Sequence, residues 1–190
     1  MPNHTEITHA NVLSKMWADL ADGVKNGVHP FHTPVLANVF GHDPDLRTVV
    51  LRSADEKHRQ ISCHTDIRSP KVSMLKTNPR VSWLFYDREA RVQLRLYGEA
   101  SIHSNDAIAS ARWKQCTQNS RQCYLTPNAP GMALTGQNER PTDPDSGFEN
   151  FAVILCEISA IDWLFLSAGG HSRARFDWND DHWNGKWIAP

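Results

Sequence analysis

Four cationic side chains lie around the predicted start of a short helix near residue 70. Arg68 and Lys71 flank the pair Ser69-Pro70, and Arg47 and Arg52 bound an apolar run earlier in the chain. The serine is a favourable N-cap because its hydroxyl can accept a backbone N–H, and the proline suits the first helical position because it lacks one. A helix N-terminus attracts anions through its free N–H groups and its dipole. In a chain whose net charge is -1, this grouping predicts a site for a specific phosphorylated ligand.

Hydrophobic periodicity predicts that the scaffold for these cations consists mainly of strands. The first element is a helix that Thr8 caps and that Gly27 and Pro30 end. Further helices are predicted over 69–77 and 106–114, a long loop over 126–147, and strands over 35–40, 47–53, 60–64, 81–86, 91–103, 151–166, 171–178 and 186–188. The second and third of these strands flank a short charged segment, which is the pattern of a hairpin. Six or more strands with few helices favour a mainly antiparallel barrel.

The composition fits one globular domain over residues 1–190 and argues against several classes of protein. The near-neutral net charge argues against general nucleic-acid binding, which needs a basic face. No apolar run approaches the roughly 20 residues of a membrane span, and the first residues lack the features of a secretory signal. The four cysteines form no CxxC pair, so we expect reduced thiols in a cytoplasmic protein. The ten histidines form no HExxH or Cys-His zinc signature, so no metal site is predicted.

Several segments of the chain occur in an order that is typical of one family. They are Arg-Thr-Val-Val-Leu-Arg at 47–52, His-Thr-Asp-Ile-Arg-Ser-Pro-Lys at 64–71, and the segments 78–81, 91–100, 161–163, 173–176 and 187–190. Together they resemble the pyridoxamine 5′-phosphate oxidase family of FMN-binding split-barrel proteins, most weakly over 112–150. The resemblance implies a mainly β fold, an antiparallel FMN-binding split barrel with peripheral helices. It also implies FMN as the cofactor and a homodimer that binds FMN at the subunit interface.

The resemblance further implies which residues bind the cofactor. A dianionic phosphate gains most from charge-assisted donors, and the residues implied around it include Arg47 and Lys71. The backbone of the 47–52 strand is expected to run beneath the flavin and offer amides to the ring edge. The alternation of the 91–103 strand puts Gln93 on its polar face, in agreement with a contact to FMN. The full set implied is Arg47, Thr48, Val49, Val50, Arg52, His64, Thr65, Arg68, Ser69, Lys71, Gln93, Phe165 and Arg175.

Some of these positions differ from the family pattern. Pro70 stands where the family's oxidases carry a second cation beside the lysine. Arg52 replaces a lysine and keeps its charge but not its geometry. His64 begins what is a tyrosine–threonine step in the family. Phe165 occupies the place of a flavin-contacting tryptophan, and Trp163 is predicted on the same strand face, so either aromatic side chain can serve.

The substrate site departs further from the family. The family's oxidases hold the substrate phosphate with a tyrosine, an arginine and a serine, where this chain has Ala111, Gln115 and Asn119. Arg112 and Arg121 are close in sequence. Because the arginine-centred set is missing, we expect pyridoxine 5′-phosphate to be turned over poorly or not at all.

Two other residues are candidates for the substrate. An arginine-x-histidine step that lies over the flavin in the family is replaced here by His171-Ser172-Arg173. The same two chemical types therefore occur in reversed order, and His171 and Arg173 are the candidate substrate residues. Arg140, in the long loop, is a further potential donor.

The function implied is that of an FMN-dependent oxidoreductase that oxidises a small amine or alcohol, with dioxygen as the acceptor. One alternative is a non-catalytic or flavin-reductase-like FMN-binding protein. Another is a split-barrel module that binds a different cofactor, such as haem. The colour of the purified protein separates the last alternative from the first two, and turnover separates the first from the second.

Overall fold

The framework of the protein is a nine-stranded sheet in a computed structural model that describes residues 7–133 and 141–190. Every strand pairing in it is antiparallel. The strands are β1 Val35–Phe40, β2 Asp43–Thr48, β3 Ser53–Asp55, β4 Gln60–Asp66, β5 Arg80–Asp87, β6 Val92–His103, β7 Phe151–Phe165, β8 Ser172–Asn179 and β9 His182–Ile188. The helices are α1 His9–Lys25, α2 Pro70–Thr77, α3 Ala107–Gln115 and α4 Gln118–Gln122, with 3₁₀ turns at Pro30–His32 and Pro144–Asn150. This confirms the predicted mainly β, antiparallel architecture with peripheral helices.

The sheet curves into a barrel that does not close. Its strand order is β2-β1-β5-β6-β7-β4-β3, so β2 and β3 are the two open edges. β7 pairs with β6 along one side, while its other side pairs first with β4 and then with β8. The long strand β7 therefore joins the barrel to the β8–β9 hairpin.

The partner switch of β7 coincides with an irregularity opposite Gly98. Tyr97 pairs with Ala160 but Gly98 pairs with Ile158, so Ser159 is an extra residue on β7. A Cβ atom at position 98 would lie 2.0 Å from the carbonyl oxygen of Glu157. Only glycine lets the two backbones approach this closely at the bulge.

One face of the sheet packs against α1 to form the main core. The helix begins after Thr8, whose Oγ1 accepts the backbone N–H of Asn11 at 3.2 Å. Its buried side chains include Met16 and Leu20, which join a cluster of strand residues that includes Trp83. A second, smaller cluster lies between α3 and β7; it consists of Ala109, Trp113, Phe151 and Val153.

We call the opposite side the outer sheet face. It is defined by a row of cross-strand neighbours on β5 to β8, which are Leu84, Arg95, Asp162 and Arg175. Four large apolar side chains on this face remain exposed, namely Val39, Leu46, Leu84 and Tyr86. A sheet normally buries its apolar face against another layer of secondary structure. The outer sheet face therefore offers apolar surface together with several charged groups.

The predicted strand over 47–53 was wrong. The chain leaves β2 at Thr48 and pairs again only from Ser53. Between them the amide of Val49 donates to the carbonyl of Pro34 at 3.0 Å, and that of Leu51 donates to His32 at 2.9 Å. These bonds to a turn, together with the full burial of Leu51, hold the segment as a crossing between the two open edges. The predicted hairpin is thus reduced to β3 and β4.

Other boundaries also differ from those predicted. β2 begins at Asp43 because Gly41, at a φ of +62°, allows a tight hairpin with β1. β9 begins at His182 rather than at residue 186. In the long loop, residues 134–140, with Arg140, lie outside the described residues, and the 3₁₀ turn ends the loop. No helix in the part of the chain that the structure describes is long and apolar enough to cross a membrane.

Candidate functional site

Lys71 lies at the centre of a polar cluster at the start of α2. Its Nζ donates to Ser69 Oγ at 2.7 Å and to Thr65 Oγ1 at 3.2 Å. Thr65 is at the end of β4, and a tight turn after it brings Ser69 back beside it, so both hydroxyls are buried. Among residues 7–133 and 141–190, no carboxylate forms an ion pair with Lys71. The direct hydrogen-bond partners of the ammonium group are thus neutral, and the carboxylates of Asp45 and Asp66 act on it only through space.

Arg47 approaches this lysine from β2. Its guanidinium donates to the carbonyl of Leu36 at 3.2 Å and to Asn38 Oδ1, and it pairs with Asp45. Asn38 in turn donates to Met74 Sδ on α2 at 3.6 Å, which ties β1 to this helix. Burial lowers the pKa of Lys71, and the positive charge of Arg47 lowers it further. Two converging cations beside two hydroxyls form a group that an anion would stabilise.

We call Arg47, Thr65, Ser69 and Lys71 the Lys71 cluster. It lies where β2 and β4, which are far apart in the strand order, meet the first turn of α2. The donors suit a phosphate, because Arg can bind two oxygens at once, Lys supplies a point charge and the hydroxyls can donate. The predicted capping bond of Ser69 is absent, since its hydroxyl accepts from Lys71 instead of from an amide of the first turn.

Arg68 is not part of the Lys71 cluster, although the sequence suggested it. Its guanidinium binds both carboxylate oxygens of Asp66, at 3.0 and 2.6 Å. It also donates to the carbonyls of Thr126 and Pro127, at 2.9 and 3.2 Å. These bonds use its donors to hold the segment that follows α4.

Arg52 lines a separate cavity of about 180 Å³ together with His64, Arg112 and Cys116. No carboxylate of the described residues pairs with either arginine. Seven other arginines do have such a partner: Arg47, Arg59, Arg68, Arg95, Arg121, Arg173 and Arg175. We call this space the Arg52–Arg112 cavity.

His64 is held neutral beside this cavity. Burial lowers its pKa to about 3, and the charges of Arg52 and Arg112 act in the same direction. Its Nδ1 lies 3.8 Å from Cys116 Sγ, and its ring meets Phe151 edge to face. Sequence reasoning did not single out Cys116, because no local motif links it to His64, which is 52 positions away in the chain.

The burial of His64 predicts a specific dependence of stability on pH. In the unfolded chain its pKa is near the ordinary 6.5, so below that pH the unfolded state binds a proton that the folded state does not. The free energy of unfolding should therefore fall as the pH decreases from 7 to 5, by about 2 kcal/mol from this residue. Urea denaturation of the wild type and of His64→Gln at several pH values measures this.

In His64→Gln, the part of the pH dependence of the free energy of unfolding that comes from this residue should disappear. The matched control is His42→Gln, at the exposed turn between β1 and β2, which should retain the wild-type slope. Equal slopes for the wild type and His64→Gln would show that His64 titrates alike in both states.

The outer sheet face carries Gln93, Arg173 and Arg175. The guanidinium of Arg175 stacks over the Tyr97 ring at 4.9 Å and donates to Asp177 at 2.9 Å. Arg173 is bound through two donors to one carboxylate, that of Asp162. These residues form a group distant in sequence from the Lys71 cluster and on a different surface of the sheet.

Phe165 and Trp163 lie on the opposite side of β7. They stack on each other with ring centroids 6.3 Å apart and line an apolar cavity of about 320 Å³ next to α1. Their shared strand face is as predicted, but within one protomer it is not the face of Gln93 and Arg175. His171 is exposed, and its Nδ1 accepts the backbone N–H of Ser167 at 3.1 Å, so it belongs to the turn before β8.

The remaining candidates lie on or after β2. Thr48 is exposed at the end of β2, opposite Val35. The amide of Val49 is used by Pro34, whereas Val50 follows in the crossing segment. Of the substrate positions expected from the sequence, Gln115 lines the Arg52–Arg112 cavity, where Arg112 provides the cation. No group of three or more His, Cys, Asp or Glu side chains within the described ranges is placed to hold a metal ion.

Comparison with known proteins identifies relatives of this chain. Residues 14–104 match the family model described as the FMN-binding domain of pyridoxamine 5′-phosphate oxidase. Pyridoxine/pyridoxamine 5′-phosphate oxidase 2 of Arabidopsis thaliana is 29% identical in an alignment of 133 residues that covers 65% of this chain and 67% of that protein.

Two solved structures share the fold. One is a pyridoxamine 5′-phosphate oxidase-related, FMN-binding protein from Nostoc punctiforme, with a TM-score of 0.78 and 24% identity over 93% of this chain and 96% of that one. The other is PhzG from Burkholderia lata in complex with tetrahydrophenazine-1-carboxylic acid, with a TM-score of 0.72 and 17% identity over 98% and 95% of the two chains. What they share with this chain is the open, split-barrel fold.

Proposed function

We propose that this chain, which matches the FMN-binding domain model of pyridoxamine 5′-phosphate oxidase over residues 14–104, is an FMN-dependent oxidoreductase of that family of split-barrel proteins. Its reaction is the oxidation of a small amine or alcohol, with dioxygen as the acceptor. The observation that carries the proposal is the Lys71 cluster, a group of converging cations and hydroxyls in which no carboxylate of the described residues forms an ion pair with Lys71.

The Lys71 cluster binds the phosphate of FMN. Lys71 and Arg47 neutralise its charge, and the hydroxyls of Thr65 and Ser69, now oriented by Lys71, turn to the phosphate oxygens. Because Thr65 and Ser69 are buried and Lys71 is half-buried, these charge-assisted bonds form in a medium that screens them weakly. Bound FMN supplies the acceptor of a hydride equivalent, while the protein positions the ring and tunes it.

The Arg52–Arg112 cavity receives the substrate. Two arginines without carboxylate partners attract an acidic group, and the neutral imidazole of His64 leaves their charge free to act on it. Ser120 and Thr117 also line the cavity, but their hydroxyls bond to each other at 3.0 Å. The two guanidinium groups are therefore the principal free donors, and they differ in position from the arginine-centred set of the family's oxidases.

The test of the proposed function begins with the cofactor. The purified protein should be yellow and release FMN, not FAD or riboflavin, on denaturation. Steady-state assays with pyridoxine 5′-phosphate and pyridoxamine 5′-phosphate then measure turnover, which we expect to be poor, and a wider set of small amines and alcohols follows. A colourless protein that refuses added FMN would overturn the proposal, and bound haem would favour another cofactor class. Bound FMN without turnover of any substrate would indicate a non-catalytic flavoprotein.

We also propose that the protein is a homodimer that joins its outer sheet faces and encloses FMN at the interface. Leu46, Leu84 and Tyr86 supply exposed apolar surface on that face, and aromatic and arginine side chains are enriched in interfaces of this kind. Gln93 and Arg175 on the same face would then contact FMN that is held by the partner's copy of the Lys71 cluster. This arrangement brings together candidate residues that one protomer keeps apart.

Leu84→Asp tests the dimer. A two-fold interface would bury the new carboxylate twice without a partner, so we expect monomers at micromolar concentration and a loss of FMN affinity. Sedimentation velocity, with and without added FMN, measures both association and cofactor binding. The matched control is Ile108→Asp, because Ile108 on α3 is as exposed as Leu84, at 38%, but lies away from the outer sheet face. A Leu84→Asp variant that remains dimeric would place the interface elsewhere. A wild-type protein that is monomeric while saturated with FMN would exclude the proposed dimer.

A further inference from the structure

Asp162 is a buried carboxylate in the middle of the outer sheet face. Only 5% of its side chain is exposed. Arg173 on β8 donates through Nε to Oδ1 at 3.1 Å and through a terminal nitrogen to Oδ2 at 2.8 Å. Arg95 on β6 donates to the same Oδ2 at 2.8 Å. The carboxylate thus joins the two neighbouring strands through three charge-assisted bonds.

These bonds keep Asp162 ionised. Burial would raise the pKa of its carboxyl group, but the hydrogen bonds from Arg173 and Arg95 outweigh it and hold the pKa below the ordinary value. One negative charge therefore faces two positive charges, which leaves a positive excess on this face. The Nε of Arg95 is buried and has no hydrogen-bond partner within the described part of the chain. A buried donor of this kind can be satisfied by water or by a bound ligand.

The strand registers place Asp162 and Arg173 among the candidate cofactor contacts. Arg173 lies in the row of Gln93 and Leu164, and Asp162 lies in the next row between Arg95 and Arg175. Side chains two residues apart on a strand share a face, so Gln93 neighbours Arg95 and Arg173 neighbours Arg175. Asp162 is therefore the fixed point of a patch made of one glutamine and three arginines.

We propose that Asp162 is a positioning residue that holds Arg95 and Arg173 so that their remaining N–H donors face the ring of FMN and stabilise its reduced, negatively charged form. This inference rests on the proposed function and on the dimer that brings FMN to this face. On reduction the ring takes up two electrons and one proton and so gains one negative charge. Positive charge held near the ring makes this step more favourable and raises the reduction potential.

The midpoint potential of bound FMN in Asp162→Asn tests the inference. The amide keeps the size of the side chain but removes one negative charge and one acceptor oxygen. A simple charge effect would raise the potential, because the face becomes more positive. Loss of positioning would lower it, because the two guanidinium groups repel each other and turn away. We expect reduced FMN to lose at least tenfold in relative stabilisation, which lowers the potential by about 30 mV or more for a two-electron couple.

The control is Asp145→Asn, which removes a carboxylate from an arginine pair on another surface, that of Arg121. It should leave the potential unchanged. FMN affinity is measured for each variant and should stay close to that of the wild type, since the Lys71 cluster is intact. If Asp162→Asn does not fold, Arg173→Gln replaces it and should also lower the potential. An unchanged or raised potential in the folded variant overturns the inference, whereas wild-type protein that binds no FMN overturns the proposed function instead.

Discussion

Replacing Lys71 by alanine is expected to weaken FMN binding by a factor of roughly 10 to 100. A hydrogen bond to a charged group contributes about 1.5–3 kcal/mol, and each 1.4 kcal/mol corresponds to a tenfold change in affinity. Lys71 is half-buried beside Arg47 and forms no ion pair with a carboxylate of the described residues, so its ammonium group can bind the phosphate directly. Fluorescence titration of the apoprotein with FMN measures the change.

Two variants show whether the effect is specific. Lys76→Ala removes an exposed lysine from the last turn of the same helix and should leave FMN affinity unchanged. Arg68→Ala removes a cation that binds Asp66 and two carbonyls, so it should reduce FMN affinity much less than Lys71→Ala. Wild-type affinity in Lys71→Ala would remove the Lys71 cluster from the cofactor site, and equal losses in all three variants would indicate a general charge effect.

Gly98→Ala is expected to destabilise the fold by about 3 kcal/mol or more. The added methyl group would lie 2.0 Å from the carbonyl oxygen of Glu157 and 2.8 Å from its carbonyl carbon. Both are backbone atoms in the centre of the sheet, so relief requires β6 and β7 to separate at the bulge. Overpacking a well-fitted interior commonly costs about 1–3 kcal/mol, and a clash with backbone lies at the upper end of that range or beyond it.

Chemical denaturation followed by far-UV circular dichroism measures this loss. Gly169→Ala is the control, because its methyl group would meet only Ser167 Oγ, at 3.8 Å, and its φ does not demand glycine. That substitution should be neutral or slightly stabilising, since it restricts the unfolded chain. A Gly98→Ala protein with unchanged free energy of unfolding would show that the two strands are farther apart at this point.

Regular, periodic elements were the part of the fold that the sequence predicted well. The alternation of β6 and the cap of α1 at Thr8 are local signals, and the structure has both. The strand predicted over 47–53 failed for a non-local reason. Its composition suits a strand, but the carbonyls of His32 and Pro34 take its amides and turn it into a crossing. β-propensity reports how well a residue fits a pleated surface and does not specify which partner the backbone meets.

In the candidate site, too, the groupings that depend on short sequence separation could be predicted and those that depend on distant segments could not. Lys71 and Ser69 are close in sequence, so their grouping could be predicted, and the structure adds Thr65 as a direct partner. The ion pair of Arg68 was not predicted, because its two-residue separation from Asp66 does not reveal a bidentate arrangement. The Arg52–Arg112 cavity joins three distant segments, and no periodic pattern links them. FMN binding by the individual residues remains a prediction, and the affinity measurements above test it.

The split of the barrel also sets the order in which the protein can assemble. The hairpins β1–β2, β5–β6 and β8–β9 pair residues that are near in sequence, whereas β4 meets β7 across roughly 90 residues. Contacts of such long range close large loops and tend to form late in folding. Thr65 of the Lys71 cluster pairs with Ala152 of β7, so the cluster reaches its final form only when this late contact exists. FMN is then a ligand of the finished barrel rather than a template for its early steps, and excess FMN should slow unfolding while leaving the rate of initial collapse unchanged.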